Sequence, residues 1–296
     1  MENKNIRWSG KSYGGRFGNA CFAFLLRIGR TPAYALLVFV AAFFMFFRRR
    51  QCAESSKYLS VIFGKNIPPV SKQSYAHLFS FGRSIIDKQA YFSGANVEID
   101  DKARAEIEKI LEKGKGCVAV SSHIGGWAIA GGELAQYPCP AGVIGVSAEH
   151  EYISKMEEAH RRRNLPKMIA TADDPFAMLA GLGILRKNGV VSVHGDRYIA
   201  GKFASVDFLG KKARLPVSAY ALAEKSGASI AIVFCTREKS GAYTISVSRT
   251  IEPSSLPGAS FQERSSAYAQ AYADDIAKAL KNHPYQWYNF YPFWLQ

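Results

Sequence analysis

The chain has 296 residues, is 48% hydrophobic and carries a net charge of +14, which excludes a disordered polymer and allows one large α/β domain or two smaller ones. The basic excess points to an anionic partner: nucleic acid, a phospholipid surface, or an acidic substrate or carrier protein. Five scattered cysteines in no CxxC or other metal-type spacing speak against disulfides and structural zinc and fit a reducing compartment.

After a basic start (Lys4, Arg7, Lys11, Arg16, Arg27, Arg30), the stretch from Thr31 to Phe47 is uncharged and closes on Arg48, Arg49 and Arg50. As a helix it is roughly 25 Å long, slightly short of the roughly 30 Å hydrocarbon core. A cleaved signal peptide is rejected, because arginines rather than small residues follow the apolar run. Positive charge on both flanks favours a re-entrant or interfacial anchor, preceded by an apolar helix from Ala20 to Ile28, over a clean single span. Residues 1–50 are therefore read as a membrane-associated segment and 51–296 as one soluble domain.

In that domain, helices are predicted at Tyr75–Asp87, Asp100–Lys113, Tyr152–Arg162, Pro175–Arg186, Ser218–Lys225 and Gln262–Asn282. Strands are predicted at Cys117–Val120, Gly142–Val146, Met168–Ala170, Val190–His194, Ser229–Phe234 and Tyr243–Val247. Their alternation predicts an α/β fold, with a mixed, largely parallel central sheet flanked by helices.

The most informative stretch is Cys117-Val-Ala-Val-Ser-Ser-His123-Ile-Gly-Gly-Trp127-Ala128. It sets a histidine just past a strand end, where α/β folds form their clefts, beside glycines that permit close approach. The plainer reading is a histidine that satisfies a turn. A second strand ends in His194-Gly195-Asp196-Arg197, where the arginine suits a phosphate or carboxylate and an Asp–Arg pair that fixes a loop is the plainer alternative. A third cluster, Arg161 to Arg163 beside His160, is either a solvated helix end or a phosphate contact. No GxSxG elbow, HExxH, P-loop or strand-linked dinucleotide fingerprint is present.

Taken together, these blocks resemble the lysophospholipid acyltransferase superfamily, in particular its lipid A late acyltransferase branch. The shared features are the short leader ending in basic residues, Ser-His-Ile-Gly-Gly-Trp, Val-His-Gly-Asp-Arg, Asp207-Phe-Leu-Gly210 with Leu215-Pro216, and the aromatic tail from Pro284 to Tyr291. They cover nearly the whole chain. The resemblance implies transfer of a fatty acyl chain from an acyl carrier protein or coenzyme A thioester to a hydroxyl or amine of a lipid or glycolipid. The expected setting is the cytoplasmic face of a bacterial inner membrane. No metal, redox cofactor or nucleic acid is implied.

By the same resemblance His123 is the general base, and an acid is expected after four intervening residues. That position is Ala128, which neither holds a tautomer nor offsets charge. An impaired or inactivated chain is the expectation. An engineered loss of a carboxylate, recruitment of Glu133 or Asp196 instead, and a chain without turnover are the explanations left open. Trp127, Arg163, Asp196 and Arg197 are expected to contact substrate. The competing function class is a lipid-binding or carrier protein without chemistry.

Overall fold

The computed structural model describes residues 28–145, 167–169, 175–198, 201–253 and 260–295. The expected helices at Ala20–Ile28 and Tyr152–Arg162, and the cluster of His160 and Arg161 to Arg163, fall wholly or almost wholly outside the described residues.

Helix α1 (Arg30–Phe47) starts after Gly29 and carries Pro32 in its first turn, where the missing N–H is not needed. It is followed by α2 (Arg49–Phe63) and α3 (Lys72–Phe92). The expected boundary at residue 50 thus falls just inside α2. Along α1 only Ala33, Leu37 and Ala41 are buried, a stripe at helical spacing that packs against Leu78 and Ile86 of α3. The outward face, with Phe39, Phe43, Phe46 and Phe47, stays exposed.

The domain then runs through β1 (Ile99–Asp101), α4 (Ala103–Leu111), β2 (Cys117–Ser121), α5 (Trp127–Glu133), β3 (Ala141–Ile144), β4 (Lys167–Ile169), α6 (Pro175–Leu185) and β5 (Val190–His194). A hairpin follows, β6 (Phe203–Phe208) and β7 (Lys211–Pro216), then α7 (Ser218–Ser226), β8 (Ser229–Arg237), β9 (Tyr243–Ile251) and α8 (Phe261–Asn282). Seven strands form one sheet in the order β1-β9-β8-β2-β5-β3-β4, and β8 with β9 is its antiparallel pair. The α/β class and the largely parallel sheet are therefore as expected. Asp100–Asp101, expected to open a helix, instead pairs with β9 as an edge strand, so α4 begins at Ala103. Neither α2 nor the β6–β7 hairpin was legible as an element. In the hairpin, inward apolar residues alternate with Ser205, Asp207, Lys212 and Arg214, and the many charges mask a two-residue period.

Helices cover both faces of the sheet. Val118 and Val120 of β2 point into a core shared with α2, α7, α8 and the hairpin, while Cys117 and Ala119 point into a second core with α3, α4 and α5. The central strand is buried on both sides, which explains its unbroken apolar run.

Helix α8 buries Tyr268, Tyr272, Ile276 and Leu280, four residues apart, and opens with a reciprocal cap. The Ser260 hydroxyl accepts from the Glu263 N–H, and the Glu263 carboxylate accepts from the Ser260 N–H at 2.8 Å. Replacing Ser260 by Ala should destabilise the fold by about 1 kcal/mol, read as a lower midpoint in chemical denaturation at unchanged slope.

Candidate active site

Strands β2 and β5 run side by side and parallel, with Cys117 opposite Val190 and Ser121 opposite His194. His123 and Asp196 each stand two residues beyond that last pair, so neighbouring strand ends deliver both side chains to one place. The His123 Nδ1 lies 2.8 Å from Asp196 Oδ1, and the His123 backbone N–H donates to Asp196 Oδ2 at 2.9 Å. Trp287 Nε1–H, from the aromatic tail, donates to the same Oδ2 at 3.0 Å.

Asp196 has no exposed surface. Burial alone would raise its pKa, but attraction to His123 and their hydrogen bond, with Arg197 and His194 adding, hold the carboxyl well below the usual carboxylate range. An ionised carboxylate only accepts, so the contact with Nδ1 places the ring proton there and leaves Nε2 as the basic nitrogen. Nε2 is buried and makes no hydrogen bond with any described residue. The site thus presents one proton-accepting atom held in a fixed tautomer.

The turn carrying His123 is stitched on two sides. Gly125 N–H donates to Gln286 O at 2.9 Å and Gly126 N–H to Cys235 O at 2.8 Å, while Tyr288 N–H donates to His123 O at 3.0 Å. Gly125 has φ +56, and a Cβ there would stand 2.2 Å from the Cys235 carbonyl oxygen. Only glycine allows the turn to sit this close to β8.

Behind the tail, the wholly buried His77 of α3 contacts Trp287 O through Nε2 at 2.7 Å and Ser55 Oγ through Nδ1 at 2.8 Å. Ser80 and the Tyr288 hydroxyl are 3.1 Å apart. The tail therefore completes the core and backs the site.

The other expected residues are distributed as follows. Trp127, at the start of α5, is partly exposed, with its ring 5.5 Å from that of His123 and 5.6 Å from Tyr288. Arg197 donates to Tyr288 O at 2.9 Å and lies 5.9 Å from the centre of the Tyr291 ring. Ala128 packs on the apolar cluster of α3, α4 and α5. Glu133, one of the two alternative acids, accepts from the Tyr91 hydroxyl at 2.5 Å and lines a small pocket with Asp101 and Tyr137. Asp196, expected to touch substrate or to serve as a recruited acid, has its carboxylate bonded to His123 and Trp287. Arg163 lies outside the described residues.

Sequence reasoning missed Trp287, His77 and His194 as members of this neighbourhood. The His194 ring lies 4.5 Å from that of His123, and its Nδ1 lies 2.7 Å from Ser121 Oγ. The available signal was that His123 and Asp196 each fall two residues past an apolar strand, which becomes informative once the strands are known to be neighbours.

The chain is an α/β protein with a largely parallel sheet and a histidine–carboxylate pair at adjacent strand ends, on the carboxyl edge of that sheet. The chain belongs to the bacterial lipid A biosynthesis acyltransferase family, whose profile matches residues 9–296. It is 28% identical over 193 residues to a phosphatidylinositol mannoside acyltransferase of Mycobacterium tuberculosis H37Rv, which covers 64% of this chain and 58% of the relative. It is 26% identical over 188 residues to the protein of that name from Mycolicibacterium smegmatis, covering 62% of this chain and 59% of the relative. The matched part thus spans less than two thirds of the length of these relatives.

Burial lowers the pKa of His77 from 6.5 to about 4. Between those values the unfolded chain takes up a proton that the folded chain does not, so stability falls as pH falls from 6.5 towards 4, by about 3 kcal/mol across the window. Melting temperature should decline over that range, with a shallower slope in His77→Gln.

Proposed function

We propose that the chain transfers a fatty acyl group from a thioester donor, carried by acyl carrier protein or coenzyme A, to a hydroxyl or amine of a lipid or glycolipid at a membrane surface. His123 is the general base and Asp196 its orienting acid. The observation that carries this reading is the 2.8 Å contact between His123 Nδ1 and Asp196 Oδ1, together with an Nε2 that has no partner among the described residues.

The chemistry follows from the geometry. An alcohol is a weak nucleophile at neutral pH, and Nε2 takes its proton as the oxygen attacks the thioester carbonyl. Asp196 stabilises the imidazolium formed in that step without itself taking the proton. Collapse of the tetrahedral intermediate forms the ester, breaks the C–S bond and releases a thiolate, to which the imidazolium returns the proton. In this reading Asp196 positions the base and does not bind substrate. Trp127 walls the approach to His123, and Arg197 and Arg163 are assigned to anionic groups of the donor or acceptor. The expectation of an inactive chain rested on Ala128, and Asp196 supplies what Ala128 lacks.

The acceptor is proposed to be an anionic lipid or glycolipid, because the net charge of +14 suits a phosphate-bearing surface and the relatives act on phosphatidylinositol mannoside by name. Lipid A precursors are the second acceptor to test, on family membership. The exposed phenylalanines of α1 and the adjoining arginines suit a helix that lies in the interface of the cytoplasmic leaflet.

Transfer of a radiolabelled acyl chain, from carrier protein and from coenzyme A in parallel, to phosphatidylinositol mannoside and to a lipid A precursor tests the proposal. The chain as written should form a labelled lipid. Asp196→Asn and His123→Ala should each lower kcat/KM by about 10³ to 10⁴, and Ala128→Glu should bring no gain. Transfer by Ala128→Glu alone would instead establish residue 128 as the acid position. Lipid binding without transfer in every form would favour a carrier.

A further inference from the structure

Asp87, on α3, has no exposed side-chain surface and collects donors from two directions. From α1 come Arg30, with Nη1 at 3.3 Å from Oδ1, and the Tyr34 hydroxyl, which donates to the same oxygen. From the sheet come Arg237 at the end of β8, with Nε at 3.1 Å from Oδ2, and Tyr243 at the start of β9, with its hydroxyl at 2.8 Å from Oδ2. Each carboxylate oxygen thus serves one side: Oδ1 holds the apolar helix and Oδ2 holds the sheet.

Both sheet donors also bear on the turn that carries His123. The Tyr243 ring lies against Gly126, where a Cβ would stand 2.5 Å from two ring carbons. Arg237 is fixed through its backbone, its N–H donating to Gln286 Oε1 at 2.8 Å and its carbonyl accepting from Gln286 Nε2 at 2.7 Å. The Gln286 carbonyl in turn accepts from Gly125 N–H. Two short paths therefore lead from Asp87 to Gly125 and Gly126, the residues that set the position of His123.

We propose that Asp87 couples the seating of α1 to the geometry of the His123 turn, so that the protein is fully active only when α1 is docked. Asp87, Arg237 and Tyr243 are positioning residues in this scheme. The physical reason is that a carboxylate without access to water requires its donors. When Arg30 and Tyr34 leave, Oδ1 loses its cation and its hydroxyl together. The charge then draws in water or pulls Arg237 and Tyr243 from their places, and the turn loses its backing. The inference rests on the reading of α1 as a membrane helix, since contact of its outer face with lipid is what would hold it seated.

The test compares the parent chain with Arg30→Gln/Tyr34→Phe, which removes the cation and the hydroxyl that α1 supplies and touches no residue of the site. Binding to phosphatidylglycerol–phosphatidylethanolamine vesicles is measured by co-sedimentation, and amide hydrogen exchange is followed with and without vesicles. In the parent, vesicles should slow exchange in α1 and in the peptide covering 122–127. In the double variant, protection should persist in α1 and be lost at 122–127, with kcat per vesicle-bound molecule lower by about tenfold and KM for the donor unchanged.

Equal protection at 122–127 in both forms, or weaker vesicle binding with unchanged kcat per bound molecule, would reduce the cluster to a mere fastener and overturn the proposal. A parent that does not bind vesicles would overturn it too, through the membrane reading. Exchange needs no turnover, so failure of the coupling is distinguishable from failure of the acyltransfer reading. If the double variant does not fold, Tyr243→Phe removes one donor from the sheet side, and faster exchange at 122–127 with α1 unchanged is then the expected result. Unchanged exchange at 122–127 in Tyr243→Phe would overturn the proposal.

Discussion

A carboxylate buried out of reach of water is costly, by several kcal/mol even after the protein relaxes around it, and Asp196 is held in that state by three donors. Two come from His123, its backbone N–H and its ring, and the third is the indole of Trp287. Much of the remaining architecture serves this arrangement. β2 and β5 must be parallel neighbours so that residues 123 and 196 arrive side by side. The segment after α8 must return to the turn after β2 so that Trp287 reaches the carboxylate. The turn at Gly125 and Gly126 must press against β8 to leave room for both.

Helix α3 holds the tail together with β8 and the turn after β2. Along α3, His77 holds the Trp287 carbonyl and Ser80 contacts the Tyr288 hydroxyl. Further along, Asp87 gathers the ends of β8 and β9. This helix therefore stands between the apolar α1 on one side and the site on the other. Its buried polar residues His77, Ser80 and Asp87 read poorly as a core face in isolation but bond to α1, α2, the tail and the ends of β8 and β9.

The placement of the acid illustrates how a histidine–carboxylate pair is defined by geometry rather than by separation along the chain. An acid after four intervening residues would stand at position 128, in the first turn of α5. Asp196 reaches it from the neighbouring strand, and the two-residue overhang of each strand fixes the distance as firmly as a helical turn would. At Ala128 the small side chain then meets only apolar neighbours. In the proposed reaction the ring orientation and tautomer are supplied by Asp196, and Nε2 meets the acceptor with no hydrogen bond to a described residue.

The sequence by itself determined the class of fold, because alternating apolar runs and amphipathic helices leave few other solutions for a chain this long. It also singled out His123, which stands past a strand end beside two glycines, and the apolar character of α1, whose Phe-rich run is unmistakable. Only the tertiary structure decided which carboxylate meets His123. Glu133 is far closer to His123 in sequence than Asp196, yet it accepts from Tyr91 of α3, while parallel pairing of β2 with β5 brings Asp196 into contact. The tail was equally illegible: nothing in the order Gln286-Trp287-Tyr288 announces that one residue bonds β8, the next a buried carboxylate and the third α3. Periodicity is a local property that a chain writes into its own neighbours, whereas strand order and the return of a distant segment arise only from packing. The site is made from residues that packing alone brings together.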